Sequence, residues 1–285
     1  MTLARAIRET ALRFSENGIE DSRTEARLLL GHATNLSQVQ IYTWPEQPLA
    51  TAEKIRLEEL IARRLKREPS AYILNRKEFY GIDLFVDSRV LIPRPETELL
   101  VDAALEFAFS RRPDLQRPLL AADIGTGSGA LAISLALNLP ASKIYATDIS
   151  PSALEVAALN CHRHRVIERV NLLAGDLLTP LPEPVDLIMA NLPYISSSEI
   201  SDLSHEIARY EPRTAFDGGE QGLDYIERLI QQAPTKMTAG GCILMEIGAG
   251  QEAGINRMVH RYLEGATLSF TRDYNGTNRV VKIAL

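Results

Sequence analysis

The sequence predicts a doubly wound α/β fold, with a mostly parallel sheet, a C-terminal antiparallel hairpin and a small helical domain in front. Three observations support this prediction. From Leu119 onward, apolar strand-like runs alternate with helix-like segments. The last residues, ATLSFTRDYNGTNRVVKIAL, are typical of two strands joined near an Asn275-Gly276 turn. Residues 1–75 show helical spacing of apolar residues and no strand-like alternation.

The composition is that of an ordinary soluble globular protein with one large domain or two smaller ones. The chain has 285 residues, of which 45% are hydrophobic and 24% charged, and its net charge is −6. This acidic balance disfavours a general electrostatic grip on nucleic acid. Two cysteines imply no disulfide framework, and the N-terminal MTLARAIRETALRF lacks the apolar core of a signal peptide. We therefore expect a cytoplasmic protein without a membrane span.

The chain is predicted to divide at residues 76 and 92. Residues 1–76 form the helical domain, in which Ser22-Arg23-Thr24-Glu25 has the form of a capping box and Thr51 begins a second long helix. The second helix ends in a basic cluster of four residues, Arg63, Arg64, Lys66 and Arg67. We interpret this cluster as a solvated helix end, with a docking face for an acidic or RNA-bearing partner as the alternative. Residues 77–92 are rich in β-formers and predict a β-hairpin linker, and residues 93–285 form the larger domain.

The elements of the larger domain follow from its alternation of apolar runs and turn signals. The predicted strands are Leu119–Ile124, Lys143–Thr147, Val170–Ala174, Val185–Ala190 and Cys242–Ile247. The predicted helices are Gly129–Leu139, Pro151–His164, Asp224–Gln232 and Glu252–Leu263. This alternation predicts a parallel sheet, whose ligand sites lie at the carboxyl ends of its strands.

Three successive strands are followed by residues suited to a nucleotide. The first ends in the glycine loop Asp123-Ile124-Gly125-Thr126-Gly127-Ser128-Gly129, where a ligand can approach the backbone closely. Asp148 ends the second strand and can accept both hydroxyl protons of a ribose, since Ser150 can cap the next helix instead. Asp176 follows the third strand and can bind an adenine amino group while Leu177 packs on the ring. NAD and S-adenosylmethionine (SAM) both carry adenosine, so both remain open at this point.

The stretch VDLIMANLPYISSSE places Asn191-Leu192-Pro193-Tyr194 at the end of the fourth strand. This arrangement suits methyl transfer to nitrogen, because an amide or ring-amino nitrogen has a delocalised lone pair and needs positioning. The Asn191 Oδ1 and a neighbouring backbone carbonyl can accept its N–H protons and hold the nitrogen in line with a methyl group. Pro193 stiffens the turn, and Tyr194 can stack on a planar amide or base. A dehydrogenase would instead need a hydride site and a general acid.

Seven stretches of the chain together resemble one family. They are EFYGIDLFVDSRVLIPRPETELLVDAAL, DIGTGSGALAISLA, ATDISPSALEVAALN, GDLL, VDLIMANLPYI, YEPRTAFDGGEQGLDYIERLI and GGCILMEIGAGQ. Together they are similar to the HemK/PrmC family of peptide-chain release factor N5-glutamine methyltransferases, from about residue 20 to the end. The resemblance implies a helical substrate-recognition domain, a β-hairpin linker and a Rossmann-like SAM-dependent methyltransferase domain. It implies methylation of the glutamine amide in the Gly-Gly-Gln motif of class 1 release factors, with S-adenosylhomocysteine as the product.

The resemblance also implies a set of site residues. Those expected to bind SAM are Asp123, Gly125, Thr126, Gly127, Ser128, Gly129, Asp148, Ile149, Asp176, Leu177 and Asn191. The expected catalytic residues are Asn191, Pro193 and Tyr194, and those expected to bind the substrate are Arg94, Asn191, Leu192, Pro193 and Tyr194. Leu192 departs from the family, which has proline there. Leucine keeps the backbone carbonyl and loses the fixed φ angle.

Two other functions follow from the same residues. Asn-Leu-Pro-Tyr also resembles the motif of ribosomal RNA adenine dimethyltransferases, which makes a nucleic-acid amino-methyltransferase the second hypothesis. A SAM-binding protein without activity is the third, and Leu192 is the feature that favours it. The release factor reading also predicts a monomer that does not use nucleic acid as substrate.

Several polar residues have two interpretations from sequence. Arg94 contacts the substrate backbone or forms a salt bridge at the domain interface, and Glu246 is a buried structural carboxylate or faces the site. The loop containing Glu211 and Gly218-Gly219 predicts a wall on the substrate side. No metal site is indicated, because the ligands in Cys161-His162-Arg163-His164 are too crowded.

Overall fold

A computed structural model describes residues 1–111 and 117–285 of the chain. Contacts divide the chain into two compact units. The first contains Met1–Arg76 and Ser204–Tyr210, and the second contains Lys77–Leu203 and Glu211–Leu285. The short segment Ser204–Tyr210 thus packs with the first unit, although it follows the Asn-Leu-Pro-Tyr stretch in the chain.

The first unit is helical. Its helices are α1 (Leu3–Glu16), α2 (Ser22–Thr34), α3 (Gln38–Thr43), α4 (Thr51–Leu65), α5 (Ser70–Leu74) and α9 (His205–Tyr210). The capping-box prediction is wrong, because Asp21 precedes α2 in a left-handed conformation and makes no side-chain cap. Ser22 is already inside the helix, and its hydroxyl donates to the Ile19 carbonyl at 2.6 Å. The unit has an apolar core that includes Phe14 and Leu29.

The basic cluster at the end of α4 is largely neutralised inside the first unit. Arg64 is buried and lies 3.0 Å from Glu25 and 3.4 Å from Glu206 of α9. Arg67 also contacts Glu206, at 3.1 Å. The interpretation as a solvated helix end is therefore wrong for Arg64. These ion pairs, with the Tyr210 hydroxyl donating to the Lys66 carbonyl at 2.7 Å, hold α9 against α4.

The second unit is a three-layer α/β/α domain. Its strands are β1 (Lys77–Phe79), β2 (Ile82–Leu84), β3 (Leu119–Ile124), β4 (Ser142–Asp148), β5 (Val170–Ala174), β6 (Val185–Ala190), β7 (Met237–Glu246), β8 (Thr267–Arg272) and β9 (Asn278–Ala284). Its α-helices are α6 (Glu98–Arg111), α7 (Ala130–Asn138), α8 (Pro151–Arg163), α10 (Asp224–Gln232) and α11 (Glu252–Tyr262).

The large sheet confirms the predicted fold class. Its strand order is β5-β4-β3-β6-β7-β9-β8, in which β3 to β7 run parallel and β9 is antiparallel to both of its neighbours. The strand β7 begins five residues before the predicted Cys242, because a register shift opposite Val185 and Leu187 lets Met237 pair with Val185. Such an irregularity has no signature in apolar periodicity.

The hairpin β1–β2 is shorter than the predicted segment. Phe79 pairs with Ile82 across a two-residue turn in which Tyr80 and Gly81 have φ angles of 49° and 73°. Two successive positive φ angles are the signature of a type I′ turn, which favours glycine at its second position. Residues 85–92 contain no regular strand, because Asp87 turns the chain by accepting from the Arg89 amide.

Alternate residues of the central strands enter two separate apolar cores. Leu187 and Met189 of β6 join residues of α6 and α7 on one face. Ile188 and Ala190 join residues of α10 and α11 on the other. Burial on both faces explains why these strands read as continuous apolar runs. The exposed polar residues that could bind a ligand follow the strands at the carboxyl edge, where loops begin. Among the described residues, no helix is long and apolar enough to cross a membrane.

Candidate active site

The glycine loop lies between β3 and α7 at the carboxyl edge of the sheet. Gly125, Gly127 and Gly129 have φ angles of 72°, 53° and 82°, so all three use the left-handed region. A Cβ on Gly127 would meet no atom nearer than 4.0 Å, which leaves space above the centre of the loop. By contrast, a Cβ on Gly129 would lie 3.0 Å from Ile133, so that glycine permits close helix packing. The loop is thus a backbone surface open at Gly127.

Two side chains hold this loop from below. Asp123 is fully buried, and its Oδ2 accepts from the Thr126 hydroxyl at 2.6 Å and from the Ala132 amide at 3.1 Å. Asn160 of α8 donates to the Ser128 carbonyl at 2.8 Å. Burial raises the pKa of Asp123 to about 6, against the lowering effect of these hydrogen bonds. Asp123 and Thr126 therefore brace the loop, and Oδ1 of Asp123 has no hydrogen-bond partner within the described residues.

Asp148 ends β4 directly beside the loop. Its Oδ2 accepts from the Gly127 amide and its Oδ1 from the Ser150 amide, each at 2.9 Å. The predicted capping role of Ser150 is confirmed, since its hydroxyl accepts from the Ala153 amide at 3.2 Å. Each carboxylate oxygen keeps a further lone pair for a ribose hydroxyl. The next residue, Ile149, is 68% exposed, which presents an apolar surface beside that carboxylate.

Asp176 and Leu177 follow β5 at the same edge. Leu177 is buried with a φ angle of 48°, and its carbonyl accepts from the Thr147 hydroxyl at 3.0 Å. The carboxylate of Asp176 is paired with the Arg228 guanidinium of α10. The Gly175 amide donates to the Asp148 carbonyl at 3.0 Å, which joins the end of β4 to the loop after β5. The fold thus brings the ends of β3, β4 and β5 together.

These residues fit the SAM cofactor. The open backbone at Gly127 suits the methionine end, which has no pyrophosphate and needs only a close backbone approach. The carboxylate of Asp148 suits a ribose, and the exposed Ile149 suits one face of a flat adenine ring. The Asp176 carboxylate is paired with Arg228, so only its lone pairs that the guanidinium does not use can accept from the adenine amino group.

The Asn-Leu-Pro-Tyr stretch follows β6, next to the glycine loop. Leu192 is 5% exposed, and its side chain packs into the core below α10 and α11. A Cβ added to Gly125 would lie 3.3 Å from Leu192 Cδ2, so the leucine also supports the glycine loop. The residue that departs from the family pattern is therefore a core residue, and Pro193 follows it as the stiff member of the turn.

Asn191 and Tyr194 are joined through two buried side chains. Asn191 Nδ2 donates to Thr97 Oγ1 at 3.0 Å, and the Thr97 hydroxyl donates to Glu246 Oε2 at 2.6 Å. The Tyr194 hydroxyl donates to the other oxygen, Glu246 Oε1, at 2.9 Å. Burial, with the neighbouring Glu246 carboxylate, raises the pKa of Tyr194, so its phenol stays protonated. Burial likewise raises the pKa of Glu246, against the hydrogen bonds from Thr97 and Tyr194.

The Gln251 side chain holds the backbone of the Asn-Leu-Pro-Tyr stretch through hydrogen bonds. Gln251 Nε2 donates to the Tyr194 carbonyl at 2.9 Å and to the Gly222 carbonyl at 3.0 Å, while its Oε1 accepts from the Gly248 amide at 2.8 Å. A Cβ on Gly222 would lie 2.1 Å from the Tyr194 carbonyl oxygen. A Cβ on Gly218 would lie 2.6 Å from the Pro193 carbonyl oxygen. A side chain at either position would clash with the Asn-Leu-Pro-Tyr backbone, so the loop after Tyr194 requires glycine at both.

Arg94 has a partner inside the second unit. Its guanidinium lies 2.6 Å from Glu211 Oε1, and the Ile92 amide donates to Glu211 Oε2 at 3.0 Å. The Glu211 side chain is 2% exposed, so the pair fastens the residue-92 segment to the loop after Tyr194. Arg94 therefore forms a salt bridge, but within the second unit and not at a domain interface as the sequence interpretation had it.

Comparisons with known proteins cover both units of the chain. The family model "PrmC N-terminal domain" matches residues 5–74, and the model "Ribosomal protein L11 methyltransferase (PrmA)" matches residues 109–210. A release factor glutamine methyltransferase of Geobacter sulfurreducens is 40% identical and covers 94% of this chain and 91% of its own. A protein of the same name from Moorella thermoacetica is 40% identical, with 98% and 97% covered. The chain belongs to the release factor glutamine methyltransferase family. It is therefore a SAM-dependent methyltransferase.

Solved structures of low sequence identity share the fold of this release factor glutamine methyltransferase family member. The catalytic domain of hMettl16 in complex with a 3′UTR hairpin has a TM-score of 0.57 at 14% identity, covering 79% of this chain and 81% of that one. This likeness concerns the fold alone.

Most of the predicted site residues lie along one edge of the sheet in this family member. The residues that sequence reasoning did not assign are Thr97, Gln251 and Gly222, whereas Gly218 was predicted to belong to the substrate-side wall. Thr97 stands in the Pro-Arg-Pro-Glu-Thr-Glu segment, whose similarity to the family was the signal available. Glu246 is a buried carboxylate, as one of the two interpretations had it, and it accepts from Thr97 and from Tyr194 of the Asn-Leu-Pro-Tyr stretch. Groups of three or more metal-ligating residues are not found within the described part of the chain.

Proposed function

We propose that this chain transfers a methyl group from SAM to the side-chain amide nitrogen, N5, of the glutamine in the Gly-Gly-Gln motif of class 1 release factors. The relatives that cover the chain almost end to end carry the name release factor glutamine methyltransferase. We propose that residues 1–76 recognise the factor, residues 77–92 form the linker and residues 93–285 perform the transfer. The chain acts as a cytoplasmic monomer, and nucleic acid is not its substrate.

The observation that carries this proposal is the orientation of Asn191. Its Nδ2 is committed to Thr97, so its Oδ1 is the atom left to accept a hydrogen bond from a substrate. A primary amide has two N–H donors, and one of them fits this acceptor. The backbone carbonyl of Leu192 is assigned to the other N–H. Tyr194, held by Glu246, is assigned to stack on the planar amide.

These residues answer the main difficulty of the reaction, which is the weak nucleophile. When bound, SAM supplies an electrophilic methyl group on a sulfonium. The oxygens of Asn191 and Leu192 accept the two N–H protons of the glutamine amide. These hydrogen bonds fix the position of the nitrogen and increase its electron density, which makes its lone pair a better nucleophile. As the new N–C bond forms, the bond from the methyl group to sulfur would break and S-adenosylhomocysteine would leave. The nitrogen would then pass one proton to water, so no strong base is needed before the attack. Arg94, paired with Glu211, is assigned to the wall that receives the peptide around the glutamine.

Transfer of label from SAM to a purified release factor tests this function. The wild-type chain is expected to label the factor, and to leave unlabelled a factor whose Gly-Gly-Gln glutamine is replaced by alanine. Bare ribosomal RNA is included in a parallel reaction. Label on RNA alone would refute the proposal in favour of adenine methylation. SAM binding without label on either substrate would support a non-catalytic protein.

A further inference from the structure

One buried carboxylate is linked to both functional side chains of the Asn-Leu-Pro-Tyr stretch, to Tyr194 directly and to Asn191 through Thr97. Glu246 lies at the end of β7, and its two oxygens accept from Tyr194 at 2.9 Å and from Thr97 at 2.6 Å. Thr97 in turn accepts from Asn191 at 3.0 Å. Thr97 and Glu246 are 4% and 2% exposed, so water does not compete for these bonds. The chain of hydrogen bonds joins residues that are 94 and 149 positions apart in the sequence.

The direction of each hydrogen bond in the series from Asn191 through Thr97 to Glu246 follows from the number of protons available to donate. The Thr97 hydroxyl has one proton, and the carboxylate of Glu246 can only accept it while ionised. The threonine oxygen is then an acceptor, which must face the Nδ2 side of the Asn191 amide. A flipped amide would place Oδ1 against the threonine oxygen, with acceptor facing acceptor. The carboxylate thus decides, through Thr97, which atom of Asn191 points toward the substrate.

Burying a carboxylate is unfavourable unless its hydrogen bonds are satisfied. Here both of its oxygens are used to hold residues of the methyl-transfer site, and each partner is itself buried or half-buried. Hydrogen bonds in a low-dielectric chain also polarise one another. A negative charge at Glu246 therefore makes the Asn191 Oδ1 a stronger acceptor, besides fixing its position.

We propose that Thr97 and Glu246 are positioning residues for methyl transfer, with Glu246 holding Tyr194 directly and Asn191 through Thr97. This inference rests on the proposed function, and it adds two residues that touch neither SAM nor the glutamine. Their effect is on the orientation of the acceptor during the reaction. SAM binding, which uses the glycine loop and Asp148, is expected to be unaffected.

Replacement of Thr97 tests the proposal. Thr97→Val keeps the shape and removes the hydroxyl, and it is expected to lower kcat by about 10- to 100-fold, as small misplacements of catalytic groups do. The Kd for SAM is expected to stay within about twofold, because the glycine loop and Asp148 are untouched. Thr97→Ser restores the hydroxyl and most of kcat. Glu246→Gln is expected to lower kcat at least as much as Thr97→Val, since an amide has one acceptor oxygen, and its NH2 group cannot accept from the second of the two partners, Thr97 and Tyr194.

A matched control has the same chemistry at the opposite end of β7. The Thr238 hydroxyl donates to the buried carboxylate of Asp186 at 2.7 Å. Thr238→Val is expected to lower stability and leave kcat unchanged. If Thr97→Val has the wild-type kcat, or if Thr238→Val lowers kcat equally, Thr97 has no positioning role.

A second readout does not depend on activity. In ¹⁵N spectra, the side-chain amide of Asn191 is identified as the signal missing in Asn191→Ala. Thr97→Val is expected to shift this signal and to speed its hydrogen exchange, whereas Thr97→Ser keeps both close to wild type. An Asn191 signal unchanged in Thr97→Val would overturn the inference. A wild-type protein that shows this response but never labels a release factor would instead refute the proposed function.

Discussion

Gly222→Ala is predicted to displace the Asn-Leu-Pro-Tyr stretch and slow methyl transfer. The added Cβ would lie 2.1 Å from the Tyr194 carbonyl oxygen and 2.8 Å from Gln251 Nε2. Carbon and carbonyl oxygen approach to about 3.3 Å, so one of the two backbones must move by roughly 1 Å. A shift of that size near a reacting group costs on the order of 10²-fold in rate, which is the predicted loss in kcat.

The free energy of unfolding of Gly222→Ala contains two costs, the steric clash of the Cβ and the strain of an alanine at positive φ. A control variant with the strain alone separates them. Gly222 has a φ angle of 68°, where a Cβ costs about 1–2 kcal/mol, and overpacking adds about 1–3 kcal/mol. Gly276→Ala is the matched control, because its φ angle is 80° and its Cβ would meet nothing within 4 Å. Denaturant unfolding and labelled-SAM assays of both variants measure the two effects. The reasoning fails if Gly222→Ala unfolds like Gly276→Ala and keeps the wild-type kcat.

Three further predictions concern the cofactor, the core and pH. Asp148→Ala is expected to weaken SAM binding by about 10- to 100-fold in calorimetry, because hydrogen bonds to a charged group are lost. Leu192→Ala is expected to lower the free energy of unfolding by about 2–4 kcal/mol in denaturant titrations, since the side chain is buried. Burial raises the pKa of Glu246, with Arg279 opposing and Glu96 reinforcing the shift. As the pH falls through this raised pKa, the carboxylate gains a proton and an acceptor is lost, so kcat is expected to fall at a pH above the ordinary glutamate range.

Each of these predictions has a control and a contrary result. Asp202→Ala removes an exposed carboxylate and should leave SAM affinity unchanged; equal weakening by both variants would remove the ribose assignment. Leu159 is 52% exposed, so Leu159→Ala should cost less than about 0.5 kcal/mol. A similar cost in both leucine variants would contradict the core role of Leu192. The acid limb of the kcat profile should disappear in Glu246→Gln, and an unchanged limb would assign it to another group.

The sequence predicts the sheet well where local pattern decides the structure. The strands β3 and β6 have the predicted bounds, because both are continuous apolar runs followed by turn residues. The ends of those strands then locate the glycine loop, Asp148 and Asn191 at one edge. The prediction fails at the start of α2, where the local backbone conformation differs from that of an ordinary helix cap. Ser22 resembles a helix cap, yet Asp21 takes a left-handed conformation and the helix begins at Ser22 itself.

The parts that sequence could not predict depend on long-range partners. Arg64 looks like a solvated helix end until Glu206, 142 residues later, pairs with it. Thr97 stands in a family-like segment, but nothing in that segment indicates a hydrogen bond to Glu246 across 149 residues. The role of Leu192 could not be predicted either. Its side chain packs against residues of α10 and α11, which lie far away in the sequence.

The most direct test of the central claim is mass analysis of the Gly-Gly-Gln peptide from a release factor incubated with SAM and this chain. The account predicts one added methyl group, located on the glutamine side chain, with wild-type protein. It predicts a loss of orders of magnitude with Asn191→Ala, while the Kd for SAM stays within about threefold. Methylation at another residue of the factor, or an Asn191→Ala variant that modifies the glutamine at the wild-type rate, would contradict it.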